Sequence, residues 1–434
     1  MAAALIVFIL AYVAIASEKF PRHWVALLGG GLLIVGGVMT LDEALNYINW
    51  DTLGLLAGMF FLVSILQEAG FFAWLAMNAV RRVNYHPGAL SAILILLAAF
   101  LSMWMDSITV MLFLTALTIQ LCRLLKLDPI PLIIAEVCAA NTGGAGSMVG
   151  DPPNVILGTT LGFNFMDFLT HTGPISLVGA LVLLGVFFLV NRRALKEAHA
   201  VLTPEIINEI EQLHTEPIHA HLTRTGLSGF LMAVFLLVFH LPLSEASGLP
   251  ITAALAALIP AGIALIALRD DQRKKAFLRV DGESILFFAG LFILIGGLEK
   301  VRLFESMATL LSNVARTNAN LLVVSLHWIP GLLSGVLDNV PLALAMSYVL
   351  KDLTRLPGMP ALGLMVWAAA LGLDIGGNLT PIGASANVVA YAYTEQHYAS
   401  IGWKRWLAAA VPATLLVMLV ATGLILLKSA IGWY

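Results

Sequence analysis

Asn141-Thr142-Gly143-Gly144-Ala145-Gly146-Ser147-Met148-Val149-Gly150-Asp151-Pro152-Pro153-Asn154 decides how this chain folds. The stretch sits inside an apolar segment, 130–162, yet it carries four glycines, two prolines and a carboxylate. Pro152 and Pro153 stop a helix from running through. In hydrocarbon every backbone N–H and C=O needs a partner, so irregular chain survives only around a polar cavity or inside protein. The stretch is therefore predicted to break a spanning helix beside a binding site. It also recurs, as Asp374-Ile375-Gly376-Gly377 running to Ile382-Gly383-Ala384-Ser385-Ala386-Asn387. Gly143 falls on Gly376, Ser147 on Thr380, Gly150 on Gly383 and Asn154 on Asn387, each 233 residues later. Upstream, Asp106 falls on Asp338 and Gly58 on Gly290, at 232. Broken helices at matching positions of two halves are the best pointer to a transporter's binding site.

The composition agrees. Of 434 residues, 60% are hydrophobic and 11% charged, with mean hydropathy +0.93. Soluble domains carry about 25% charged residues, so much of this apolar surface must meet lipid. The formal net charge of −3 gives no reason to expect nucleic acid. Cys122 and Cys138 suggest neither a disulfide framework nor a zinc site. Residues 2–16 lack a basic leader and a cleavage site, and read as a short first span. The expected fold is an all-α polytopic membrane protein of the cytoplasmic (inner) membrane. It has inverted repeats, about 10 spans and two re-entrant hairpins. No cofactor is expected, and the partners are the lipid bilayer, a small solute and a coupling ion.

Apolar segments 89–105/107–122 and 321–337/339–350 are each split at an aspartate and too short to cross singly. Both are predicted to enter and leave on one side. Residues 70–84, with Phe71, Phe72 and Trp74 before Arg81 and Arg82, read as a helix in the interface. The basic residues place Arg81, Arg123, Arg192 and the run from Arg269 to Arg279 in the cytoplasm, and both termini outside. Five crossings separate the starts of 53–68 and 284–298, an odd number, so the second copy is inverted. The expected units are 1–50 (first helices), 51–191 (repeat one), 192–226 (cytoplasmic linker with four His), 227–280 (connecting helices) and 281–434 (repeat two).

Asp106-Ser107 and Asp338-Asn339 stand at the hairpin tips, where each aspartate can cap the outgoing helix. With the two breaks, four half-helix N-termini are expected to converge, and such ends attract anions or oxygen-rich solutes. The carboxylates oppose this. Buried charge in a span is functional by default, so Asp106 and Asp338 are candidates for binding a proton or Na+. The copies differ where Asp151 faces Ala384 and Asn141 faces Asp374, and these unmatched carboxylates are candidate coupling-ion sites. Thr109, Thr142, Gly144, Ser147, Asn378, Thr380 and Ser385 complete the expected polar lining. Asn154 and Asn387 are expected as N-caps of the second half-helices. Gly383 is expected where a ligand meets the backbone, Glu136 as a proton carrier or half of a helix-facing pair, and Cys138 as packing or a metalloid contact.

Leu101-Ser102-Met103-Trp104-Met105-Asp106-Ser107-Ile108-Thr109 followed by Gly143–Asn154 resembles the ion transporter superfamily. Leu333–Pro341 and Gly376–Asn387 resemble its arsenite-permease/NhaD/melanosomal P-protein branch. The resemblance implies two re-entrant hairpins, two unwound helices, a homodimer and elevator-like movement. Dicarboxylate-transporter relatives carry Ser-Asn-Thr at the tips. The aspartates here would repel a dicarboxylate and favour a neutral or cationic solute. The leading expectation is a secondary transporter for proton-coupled efflux of a small inorganic solute such as arsenite or antimonite. Sodium/proton antiport and sodium-coupled transport of a citrate-like carboxylate stand as alternatives. ATP driving would need a separate ATPase subunit, since no phosphate loop is present. An intramembrane aspartyl protease is the remote reading, because the first Gly of Gly-x-Gly-Asp is missing before Asp151.

Overall fold

The computed structural model describes residues 2–17, 19–211 and 218–434. Among these residues the regular structure is wholly helical. The first half runs through α1 (Ala2–Ala16), α2 (Arg22–Val35), α3 (Leu41–Tyr47), α4 (Trp50–Glu68), α5 (Phe71–Arg81), α6 (Pro87–Ser102), α7 (Ser107–Leu124), α8 (Pro129–Gly144), α9 (Pro152–Leu161), α10 (Phe165–His171), α11 (Gly173–Val201) and α12 (Pro204–Glu211). The second runs through α13 (Ala220–Ser247), α14 (Ala253–Ala267), α15 (Asp270–Arg279), α16 (Gly282–Lys300), α17 (Leu303–Thr317), α18 (Ala319–Ser334), α19 (Asn339–Leu353), α20 (Leu362–Gly376), a 3-10 turn (Gly377–Leu379), α21 (Ser385–His397) and α22 (Trp403–Ile431). Seven helical stretches among the described residues are long and apolar enough to cross a membrane, from Trp50–Glu68 to Trp403–Ile431. The protein is an integral membrane protein.

Both broken spans and both hairpins are present. α8 ends at Gly144 and α9 restarts at Pro152; α20 ends at Gly376 and α21 restarts at Ser385. α6 leans on α8, and α18 on α20. Glycines make these approaches close. A β-carbon on Gly143 would overlap the Ala99 carbonyl, and one on Gly376 the Gly331 carbonyl. The same pairing recurs farther out, where α14 packs on α4 and α2 on α16. A β-carbon at Gly58 would lie 2.7 Å from the Ala257 backbone carbon, and one at Gly290 would lie 2.8 Å from that of Ala26. Each half thus reaches across to hold the other half's scaffold helix.

Polar contacts tie the ends of these helices. At one end of α4, Arg279 donates to Glu68 at 2.6 Å, with Lys275 at 3.8 Å. Beyond the other end, Lys300 meets Glu43 at 2.5 Å and holds that carboxyl below its ordinary range through the hydrogen bond. The amphipathic helix expected over 70–84 is α5. The polar stretch after residue 191 differs from a plain loop. α11 continues through it to Val201, because Ala194–Ala200 is built of strong helix formers with one His. His199 there lies against His86, with ring centroids 4.4 Å apart and the rings tilted by 40°. His214 lies outside the described residues.

Candidate functional site

The four half-helix N-termini meet. Asp106, Ser107 and Ile108 from α7, Asp151 and Pro152 from α9, Asn339 and Val340 from α19, and Ala384 and Ser385 from α21 line one cavity of about 20 Å³, room for about one water. Arg22, Ser284 and Phe287 close it. A larger vestibule of about 430 Å³ adjoins, lined by Arg22, Ser284, Asp338 and Ser385 together with Tyr12, Asp281 and Glu283.

The tip aspartates act as caps. Asp106 accepts from Ile108 N at 2.9 Å, Thr109 N at 3.2 Å and Thr109 Oγ1 at 2.6 Å, so both its oxygens serve its own helix. Asp338 accepts from Val340 N at 3.0 Å, and its other oxygen lies 3.8 Å from Arg22. The Asp338 N–H donates to the Tyr12 hydroxyl at 2.8 Å. Asp151 is less committed. Ser107 donates to one oxygen at 3.1 Å, while the other is buried without a partner. A carboxylate left so costs several kcal/mol as an order of magnitude, and a proton or cation on it relieves that cost.

Arg22 was not expected here. It opens α2 and donates to Ser385 Oγ at 2.9 Å and Ser284 Oγ at 3.4 Å, with its guanidinium 5.2 Å above the Phe287 ring. The available signal was its place directly after Pro21 at the start of an apolar segment. Asp281 caps α16 through Ser284, accepting from its N–H at 2.9 Å and its hydroxyl at 2.5 Å. Its first-half counterpart, Asn49, caps α4 and donates to Thr159 and Thr160.

Behind the cavity lies a second polar layer, fully buried. Asn154 and Asn387 are not N-caps. Asp151 and Ala384 hold those positions, and each asparagine sits one turn into its helix, folded back onto the break. Asn154 Nδ2 donates to the Gly144 and Ser147 carbonyls at 3.2 and 2.9 Å; Asn387 Nδ2 donates to those of Gly377 and Thr380, both at 2.8 Å. The break carbonyls would otherwise be orphans, which explains the asparagine at both positions. Ser147 and Thr380 do matching work, donating to the hairpin carbonyls of Met103 and Gly335. Across the pseudo-twofold, Asn141 Nδ2 donates to Asn378 Oδ1 at 2.8 Å and Asn387 Oδ1 at 2.7 Å. Asn378 Nδ2 donates to the Cys138 carbonyl and to Thr142 Oγ1 at 3.3 and 3.4 Å. Asp374 is buried in this layer beside Asn154 and within electrostatic reach of Asp151.

The expected residues thus separate by place. Asp106, Ser107, Asp151, Asn339 and Ser385 line the cavity, and Asp338 the vestibule. Asn141, Thr142, Asn154, Asp374, Asn378 and Asn387 form the layer behind it. Gly143, Gly144, Gly376, Ser147 and Thr380 fasten the breaks to the hairpins or to themselves. The Cys138 side chain lies elsewhere. It lines an apolar cavity with Pro131, Phe187 and Pro412. Glu136 is fully buried and accepts from Thr118 at 2.7 Å, with its second oxygen unpartnered.

Known proteins resemble this chain along most of its length. The uncharacterized transporter Rv2685 of Mycobacterium tuberculosis is 33% identical over 391 residues, 89% of each chain. The 46 kDa membrane protein of Mycobacterium leprae is 32% identical over 392 residues, again 89% of each. The P protein of Homo sapiens is 32% identical over 89% of this chain and 55% of its own length. The YdaH transporter of Alcanivorax borkumensis shares the fold, with TM-score 0.56 over 94% of this chain and 89% of that one at 16% identity. Rv2685 is named a transporter, and the protein is a membrane transporter rather than an enzyme. Matched over residues 12–372 and 302–433, the chain belongs to the CitMHS family, described as citrate transporter.

Proposed function

We propose that the protein is a proton-coupled secondary transporter whose solute sits in the vestibule beside Arg22 and reaches one group toward the cavity where the four half-helix N-termini meet. The observation that carries this reading is the partly uncommitted Asp151 carboxyl in the same cavity as those N-termini. Helix N-termini and a guanidinium attract carboxylate oxygens. Asp106, Asp151, Asp338, Asp281 and Glu283 oppose a bare polyanion. A citrate-like solute, which the family description favours, therefore arrives with its charge offset by protons or a metal cation. The vestibule has room for such a solute, whereas the inner cavity admits only a water-sized group. Arsenite is less favoured, since the Cys138 thiol lies outside the cavity.

Sodium/proton antiport is the second reading, favoured by the acidic excess of the vestibule, which concentrates cations. The elevator-like movement of a homodimer that the resemblance implies would have to break the Arg22–Ser385 and Tyr12–Asp338 contacts, and belongs to the same proposal. The test is reconstitution in vesicles containing a pH-sensitive dye. Citrate with and without Mg²⁺, sodium, lithium, arsenite and sulfate are added in turn. Proton movement driven by citrate is expected. Proton movement driven by sodium or lithium alone would favour the antiporter, and none with any solute would overturn the coupling.

A further inference from the structure

The two breaks repeat each other's hydrogen bonds at Asn154 and Asn387 and at Ser147 and Thr380, but differ in the buried layer, where Asn378 falls on Ala145 and Asn141 on Asp374. Asn141 gives an amide proton to Asn387 Oδ1. Its counterpart is Asp374, whose partner across the pseudo-twofold is Asn154. The Asn154 amide nitrogen is fully engaged by two backbone carbonyls, just as that of Asn387 is. Among the described residues Asn154 Oδ1 is left without a donor, and both Asp374 oxygens are left without hydrogen-bond partners. Both residues are fully buried. An ionised Asp374 could draw only on the Asn154 amide, which is already given to the Gly144 and Ser147 carbonyls, and would otherwise face Asn154 Oδ1. A protonated one supplies the missing donor and repeats the Asn141–Asn387 bond.

We infer that Asp374 carries a proton of the transport cycle, donating it to Asn154 Oδ1 in this state and releasing it in another. The inference rests on the transporter reading above and names one of its proton sites. On release the Asp374 O–H bond breaks, the proton passes to water, and the carboxylate loses its place against Asn154. Among the described residues no cationic group hydrogen-bonds to Asp374. The helices packed on α20 bring Glu136 on α8, His327 on α18, Lys351 and Asp352 on α19, and Lys404, Arg405 and Lys428 on α22. His327 is engaged by the Ala368 and Met418 carbonyls, and Arg405 by Asp128. Asp151 is the charged group that acts on Asp374.

Infrared spectroscopy of the protein in lipid tests this without requiring transport. The wild type at neutral pH should show the carbonyl stretch of a protonated carboxyl. Asp374→Asn should lose that band, and Asp374→Glu, which keeps the acid, should shift it. In vesicles, Asp374→Asn should move one proton fewer per solute. An unchanged band in Asp374→Asn, or an unchanged proton-to-solute ratio, would overturn the assignment. If the wild type moves no protons with any solute, the transport proposal fails while the infrared comparison still decides the state of Asp374.

Discussion

Arg22 donates to the Ser385 hydroxyl at 2.9 Å across 363 residues of chain. One bond thereby joins the second helix of the first half to the restart of the second half's broken span. The same guanidinium lies 3.8 Å from Asp338, and both side chains line the vestibule.

Arg22→Ala should leave Asp338 Oδ2 without its counter-charge and open the vestibule wall. A charge-assisted hydrogen bond is worth about 1–2 kcal/mol here, the partial exposure of Arg22 lowering the figure. Solute affinity should fall about tenfold, read from initial uptake rates against solute concentration. Arg22→Lys should recover only part of it, since an ammonium cannot span Ser385 and Ser284 as the planar fork does. Equal affinity in Arg22→Ala and wild type would remove Arg22 from the site.

Gly383 illustrates a glycine whose meaning changes with the structure. Its spacing from Gly150 suggested room for a ligand against the backbone. A β-carbon there would instead overlap the Gly377 carbonyl and lie 2.8 Å from that of Ser334. Gly383→Val should therefore cost folding, by about 3 kcal/mol or more, rather than affinity alone. Thermal unfolding of the detergent-solubilised variant, followed by size-exclusion chromatography, checks this. A variant of wild-type stability with weakened solute binding would restore the ligand-contact reading.

Much of this architecture was legible because membrane chemistry leaves few choices. Two Gly- and Pro-rich interruptions inside apolar segments, 233 residues apart, required shielded breaks, and Asp106 and Asp338 at the splits marked helix starts. Contacts between distant segments left no such trace. Arg22 and Tyr12 reach the site through the crossing of α1 and α2 onto α16, which spacing within one repeat does not encode. Asn154 looked like a cap because it follows two prolines. Its amide is consumed by break carbonyls whose positions only the folded chain defines. The unmatched pair of Asn141 and Asp374 was visible in the alignment of the halves, but the unpartnered Asn154 oxygen beside Asp374 was not.

Inversion of the halves predicts that the two hairpins enter from opposite sides. Single cysteines at Gly88, in the first turn of α6, and at Asn320, in the first turn of α18, should react with an impermeant thiol reagent from opposite faces of intact vesicles. Labelling of both from one face would refute the inverted arrangement.

Asp151 is the group on which solute and proton are proposed to meet. Calorimetric titration of citrate with Mg²⁺ into the purified transporter, repeated in buffers of different ionisation enthalpy, counts the protons taken up or released as solute binds. The wild type should exchange protons with the buffer on binding, and Asp151→Asn, which keeps the shape and removes the titrating oxygen, should exchange at least one fewer. The same proton count in both proteins would contradict the placement of coupling at the four helix ends.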